Sequence, residues 1–205
     1  MRGLIDHDPQ GLQASFHAGT RIREAAPALE AIGQGFVNQG DVDPQALGGA
    51  IGTSTHGTGI GLGSFSSMLT ALRLVTPDGA IIDASPDQEA EVYHAACTSV
   101  GALGVISRLR LQNRAAYRLH EREYTLPLAE LMQNAESLRD QHRHFEFFGF
   151  FKSDTGLVKT LDETDAEPTP AERLQLPVDA IMFLASEAAH RMPSTDAALQ
   201  RLLMR

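Results

Sequence analysis

The chain has 205 residues, with Lys+Arg 17 against Asp+Glu 26, a formal net charge of -9, one Cys and no Trp. That length holds one large domain or two small ones, and a composition of 42% hydrophobic and 21% charged residues is that of a globular chain. The acidic balance argues against nucleic acid or an anionic membrane as the main partner, because both need a basic surface. No apolar run nears the roughly 20 residues that span a bilayer, and Met1-Arg2-Gly3-Leu4-Ile5-Asp6 has no apolar signal-peptide region. Cys97 is alone and cannot form an intrachain disulfide, which fits a reducing compartment and gives a cytoplasmic expectation. Lys152 and Lys159 are the only lysines; with the many Ala, Leu and Gly this points to a GC-rich bacterial genome.

In chain order, residues 1–20 are poor in pattern apart from Leu12 to Gly19, whose alternation predicts a short strand. Thr20 is a candidate cap for a helix through Ala31, with Ile22, Ala25, Leu29 and Ile32 on one face and Pro27 near the first turn. Residues 38–63 hold eight of the eighteen glycines and show neither a helical nor a strand period. Order returns with Met68–Thr76 and Ala80–Ala84, a predicted hairpin around Pro77-Asp78-Gly79. Ser85-Pro86-Asp87-Gln88 reads as a capping box for a helix to about Val100, with Val92, Ala95, Ala96 and Val100 inward. Gly101-Ala102-Leu103-Gly104 stops it, and Val105–Gln112 is a predicted strand with Arg108 and Arg110 on its wet face. Composition shifts near residue 115. Leu119–Thr125 follows as a strand. Leu128, Leu131, Met132, Ala135 and Leu138 form a helical stripe. His144–Phe151, with five of the nine Phe residues, reads as a buried strand. A turn at Asp154-Thr155-Gly156 leads into Leu157–Leu161; residues 162–177 read as a polar loop, and Val178–Arg191 and Thr195–Arg205 as helices.

The glycine-rich stretch fits none of the short phosphate motifs. No Lys follows any Gly, which removes the P-loop. The third position of a G-x-G-x-x-G is Leu62 or Ser64. A nucleophile elbow is absent, and neither Cys97 nor His142/His144 has ligands at metal spacing, so no metal is expected. What remains is a nest of backbone N–H and hydroxyl groups around His56, suited to a pyrophosphate or a polar ring edge.

Gly40-Asp41-Val42-Asp43, then Gly48-Gly49-Ala50-Ile51-Gly52-Thr53-Ser54-Thr55-His56-Gly57-Thr58-Gly59, closely resembles the second flavin-binding loop of the aldonolactone and alditol oxidases, FAD-dependent enzymes of the vanillyl-alcohol oxidase type. Gly101-Ala102-Leu103-Gly104-Val105-Ile106 resembles their later loop and strand along the FAD. The resemblance covers nearly the whole chain and implies an α+β fold. Residues 1–114 would be a partial two-subdomain FAD-binding domain of the PCMH type, and 115–205 the start of an α+β substrate domain. It implies oxidation of a CH–OH group of a sugar lactone or polyol, as in D-arabinono-1,4-lactone oxidase activity, with oxygen or another electron acceptor. The FAD-binding set it implies is Gly48, Thr53, Ser54, Thr55, His56, Gly57, Thr58 and Gly59, with Gly104, Val105 and Ile106. The family's earlier Gly-rich loop ending in G-H-S is not found before residue 38, nor its late H-W-G-K-like motif. The expectation is therefore the middle of a flavoenzyme: a gene fragment, the product of a mis-called start and stop, or a piece of a split polypeptide. No catalytic base can be named. The rival is a non-catalytic fragment or subunit that binds no flavin by itself.

Single residues keep two readings at this point. His56 is either a flavin contact or a buried histidine that orders its loop by hydrogen bonds. Asp41 and Asp43 read as loop-shaping acceptors rather than paired catalytic carboxylates, and Cys97 as a small buried hydrophobe. The Phe cluster is core or substrate-cavity wall, and Arg108, Arg110, Arg114 and Arg118 are a solvated strand face.

Overall fold

The computed structural model describes residues 1–149, 152–169, 178–195 and 198–200. The chain divides into two units, Met1–Tyr117 and Arg118–Arg205.

The first unit opens with a hairpin of β1 (Leu4–Asp8) and β2 (Gln13–His17). Strand β1 carries no alternation in sequence because a bulge between Leu4 and Asp6 breaks the register. Helix α1 (Ile22–Glu30) buries Ile22, Ala25 and Leu29. Its cap is Arg21, whose N–H is accepted by the Glu24 carboxylate at 3.1 Å, not Thr20. The Thr20 hydroxyl instead donates to the His17 carbonyl at 2.6 Å and accepts the Gly3 N–H at 2.8 Å. Pro27 lies inside the helix rather than in its first turn, so packing of three buried residues outweighs one missing donor. After β3 (Gln34–Gly35) comes α2 (Leu47–Gly52), inside the stretch that showed no period. Leu47, Ala50 and Ile51 have helical spacing and are all buried; the surrounding glycines hid the signal.

A 3-10 turn (Ser66–Met68) leads into β4 (Leu69–Val75) and β5 (Ile81–Ala84), the expected hairpin, with Gly79 at φ +86 in its turn. Helix α3 is shorter than expected, Ala90–Ala96. Ser85 and Gln88 close a turn on each other, each N–H donating to the other's carbonyl, so Ser85–Gln88 is not a helix cap. Tyr93 and Ala96 point inward; Ala95 and Val100 are exposed. Strand β6 (Val105–Gln112) has the expected bounds, and β7 (Arg114–Ala115) pairs with β3.

The five-stranded sheet runs β1-β2-β6-β4-β5, antiparallel throughout. One face carries Ala14, Phe16, Leu72, Leu74, Leu109 and Leu111, buried together with Ile22, Leu29, Leu47 and Ile51 of α1 and α2. At about 25 cal/mol per Å² of apolar surface, each such Leu or Ile contributes roughly 1.5–3 kcal/mol. Helices against one face of an antiparallel sheet make this an α+β arrangement.

In the second unit, β8 (Arg118–Pro127), α4 (Leu128–Gln141), β9 (His144–Gly149) and β10 (Thr155–Thr164) form an antiparallel sheet of order β8-β10-β9 with a helix. Leu131 of α4 is fully buried, and its Cδ2 lies 2.5 Å from where a Cβ on Gly156 would sit. Helix α5 (Val178–Arg191) has the expected bounds. The Phe-rich segment is not a buried strand: β9 is an edge of its sheet, and Phe147 and Phe148 are 38% and 51% exposed. Met132, placed in the inward stripe, is also exposed. Phe150, Phe151, residues 170–177 and most of the expected last helix lie outside the described residues.

Candidate functional site

A cleft of about 660 Å³ opens in the first unit, within the 300–1,000 Å³ typical of small-molecule sites. Three segments wall it. The turn after β2 gives Ala18 and Gly19, helix α2 gives Gly48, Gly49 and Gly52, and the connection from α3 into β6 gives Ser99, Gly101, Gly104, Val105, Ile106 and Ser107; Met1 completes the rim. The walls are tied by backbone hydrogen bonds. Gly48 N–H donates to the Ala18 carbonyl at 2.9 Å, Ala18 N–H to Ser107 at 3.1 Å, and Val100 N–H to Gly52 at 2.9 Å.

Half of these twelve lining residues are glycine, for different reasons. A Cβ on Gly104 would strike the Val75 carbonyl oxygen, and its φ is +137, so the fold itself demands glycine. Gly49 differs. It sits in α2, and a Cβ there would meet nothing within 4 Å; at Gly52 the nearest atom is the Gly101 nitrogen at 4.0 Å. The protein's own packing does not require glycine at either position. What glycine keeps at these two positions is bare backbone on the floor of the cleft.

The loop after α2 is built differently from a free nest. Gly57 packs on the chain at Gln39: a Cβ would collide with the Gln39 carbonyl and come within 2.7 Å of Asn38 Oδ1. A Cβ on Gly40 would lie 3.0 Å from the His56 carbonyl. Asn38, 2% exposed, clamps this contact: its amide donates to Gly63 at 2.9 Å and its Oδ1 accepts the Gln39 N–H at 2.9 Å. Thr53 Oγ1 donates to the Gly49 carbonyl and lies 3.2 Å from Thr55 Oγ1, while Ser54 Oγ donates to Ser64 Oγ. His56 is exposed, not buried, and its Nδ1 lies 2.9 Å from the Gly57 carbonyl.

Of the sequence-derived set, the structure brings Gly48, Gly104, Val105 and Ile106 to the cleft. Thr53, Ser54, Thr55, His56, Gly57, Thr58 and Gly59 leave it directly after Gly52 and are not among its lining residues. The sequence-derived set lacked Ala18, Gly19, Gly49, Gly52, Ser99, Gly101 and Ser107, whose small size was the available signal. The backbone carbonyl of Asp43 accepts the Arg23 N–H at 3.1 Å, a bond that does not involve its carboxylate. Burial pushes the Cys97 thiol up, against a weaker opposing effect of Tyr93, which suits an unreactive packing residue. No cluster of metal-ligating side chains is present among the described residues. No lining residue carries a titratable side chain, so the cleft binds and orients through backbone groups and small hydroxyls.

The fold has solved counterparts. Cholesterol oxidase from Brevibacterium sterolicum superposes with a TM-score of 0.77 at 16% identity, over 98% of this chain and 42% of that one. A solvent-stable cholesterol oxidase gives 0.78 at 19%, over 98% and 43%. The fold is thus one that these oxidases share. A family model described as FAD binding domain matches residues 1–85, and one described as D-arabinono-1,4-lactone oxidase matches 109–205. The L-gulono-1,4-lactone dehydrogenase of Mycobacterium tuberculosis is 35% identical over 99% of this chain and 48% of its own length. The mouse L-gulonolactone oxidase is 31% identical over 83% of this chain and 39% of its own. The chain is thus similar to FAD binding domains over residues 1–85 and to D-arabinono-1,4-lactone oxidases over 109–205, and it spans about half the length of the curated relatives it matches. No helix of the described residues is long and apolar enough to cross a membrane.

Proposed function

We propose that this chain contributes the flavin-holding part of an FAD-dependent oxidoreductase that oxidises a CH–OH group of a sugar lactone or polyol. The observation that carries the reading is the cleft floor, where Gly49 and Gly52 are glycine although the protein's packing leaves room for a side chain. Bare backbone there suits a ligand that needs close approach to N–H groups, as a dinucleotide pyrophosphate does. FAD, when bound, supplies the hydride-accepting centre. The residues of this chain bind and orient: Gly48, Gly49 and Gly52 offer the α2 wall, and Gly104, Val105 and Ile106 the opposite wall. Thr53 to Gly59 follow the α2 wall outside the cleft lining, and the Thr53 hydroxyl is already engaged, donating to the Gly49 carbonyl. Proton removal from the substrate falls to side chains outside this cleft, because no acidic or basic side chain lines it. The partners of this reading are a sugar lactone or polyol and oxygen or another electron acceptor, in the reducing cytoplasm that the single Cys97 suits.

A second reading, a subunit that binds no flavin alone, draws support from the lack of any charged side chain on the cleft lining. Titration of the purified chain with FAD, followed by flavin fluorescence, separates the two. Saturable one-to-one quenching supports the first; no change up to millimolar protein supports the second. Either way, no lactone turnover is expected from this chain by itself.

A further inference from the structure

Between α3 and β6, the cleft wall contains a tight turn, Ser99-Val100-Gly101-Ala102. The Ala102 N–H donates to the Ser99 carbonyl at 2.9 Å, and both central residues have positive φ, +51 at Val100 and +78 at Gly101. Those angles mark a type I′ turn, in which both central residues are left-handed and Asn-Gly is the favoured pair. Gly101 suits its place. Val100 does not, because a β-branched residue at positive φ is a steric outlier. Leu12, Ser54 and Glu89 also have positive φ, but none of them is β-branched.

Side-chain packing does not offset the strain, since Val100 is 78% exposed. Its backbone holds it left-handed. The Val100 N–H donates to the carbonyl of Gly52 at 2.9 Å, at the C-terminal end of α2. Gly52, Ser99 and Gly101 all line the cleft, so this bond joins the α2 wall directly to the 99–107 wall. A turn that only had to brace the wall would hold better with Asn before Gly101. Strain kept without a packing reason is characteristic of ligand clamps and switch segments.

We propose, resting on the reading of the cleft as the flavin site, that Val100 is the spring of a latch between the two walls. The conformation described is the shut form, in which the bond from Val100 to Gly52 holds the turn against its own strain. As a dinucleotide enters, this bond parts and Val100 returns to negative φ. The Gly52 carbonyl and the Val100 N–H then become an acceptor and a donor for the ligand. Release of the strain favours the open form, so the ligand binds more tightly than it would across a relaxed turn.

The test is an FAD titration of the full chain by flavin fluorescence, with a thermal melt of each variant measured without FAD. Val100→Asn relaxes the left-handed position. It should raise the melting temperature and weaken FAD binding about five- to thirtyfold, because opening no longer releases strain. Val100→Thr keeps the β-branch, and the strain with it, while removing apolar surface; its affinity should equal that of the wild type. Glu89→Asn relaxes an exposed left-handed residue at the start of α3, outside the cleft lining, and should leave the affinity unchanged. Equal or tighter FAD binding by Val100→Asn overturns the latch and leaves the flavin site standing. A loss in Val100→Thr as large as in Val100→Asn overturns it in favour of an apolar contact by the side chain. A Val100→Asn protein that melts below the wild type overturns the strain argument. Absence of FAD binding by the wild type overturns the reading of the cleft, and the latch with it.

Discussion

Gly49→Leu separates a cleft that holds a ligand from one that is merely vacant surface. Gly49 lies within α2, and a Cβ added there meets no atom within 4 Å, so the new side chain enters the cleft and not the core. Replacing glycine in a helix interior gains about 0.5–1 kcal/mol of stability from the unfolded chain's lost freedom. The variant should therefore melt at or slightly above the wild-type temperature. The same side chain denies a ligand its approach to the α2 backbone. Losing one hydrogen bond to a charged oxygen costs roughly 1.5–3 kcal/mol, about ten- to a hundred-fold in affinity. The assay pairs a thermal melt with an FAD titration by flavin fluorescence. A stable variant that binds FAD as tightly as the wild type would refute the assignment of the cleft. A variant that unfolds would refute the packing argument at Gly49.

Gly57→Ala should behave in the opposite way: its Cβ meets the Gln39 carbonyl, so stability should fall by about 1–3 kcal/mol in a chemical melt, with or without FAD. Thr55→Val keeps shape and removes one hydroxyl; if the loop after α2 reaches the ligand, FAD affinity drops about tenfold at an unchanged melting temperature, and equal affinity confines the ligand to the cleft walls. Tyr93→Phe removes the hydroxyl that donates to the Leu69 carbonyl at 2.6 Å and should cost about 1 kcal/mol in urea unfolding without touching FAD affinity. The Arg73 guanidinium beside Asp83 holds that carboxyl below its ordinary value. Its contribution is present above the unfolded carboxylate pKa and is lost as pH falls through the lower folded one. Asp83→Asn should therefore flatten the stability profile below about pH 4, and an unchanged slope would remove Asp83 from the acid response.

Elements whose side chains report burial directly were legible. Val105–Gln112 alternates because one face is core and the other is solvent, and β6 has those bounds. The hairpin of β4 and β5 announced itself through Pro77-Asp78-Gly79. Helix α2 was not legible as a helix: six residues with three glycines carry little propensity, and only the burial of Leu47, Ala50 and Ile51 fixes it. Ser85-Pro86-Asp87-Gln88 has the residue types of a cap, yet the turn it closes on itself satisfies the same donors before the helix begins. The five Phe residues at 145–151 read as core because aromatic clusters usually are, whereas an edge strand leaves Phe147 and Phe148 half open. For the site, the glycines were visible but their two roles were not. Gly57 and Gly104 serve close backbone packing, Gly49 and Gly52 an open floor, and only the position of neighbouring atoms separates them.

The central claim is that flavin lies against α2 and the 99–107 connection. Photolabelling the purified chain with an azido derivative of FAD, followed by mass mapping of the peptides, tests it most directly. The account predicts covalent label within residues 48–59 or 99–107, suppressed by excess unmodified FAD and lost in Gly49→Leu. Label confined to peptides of the second unit, or label that excess FAD does not suppress, would contradict it.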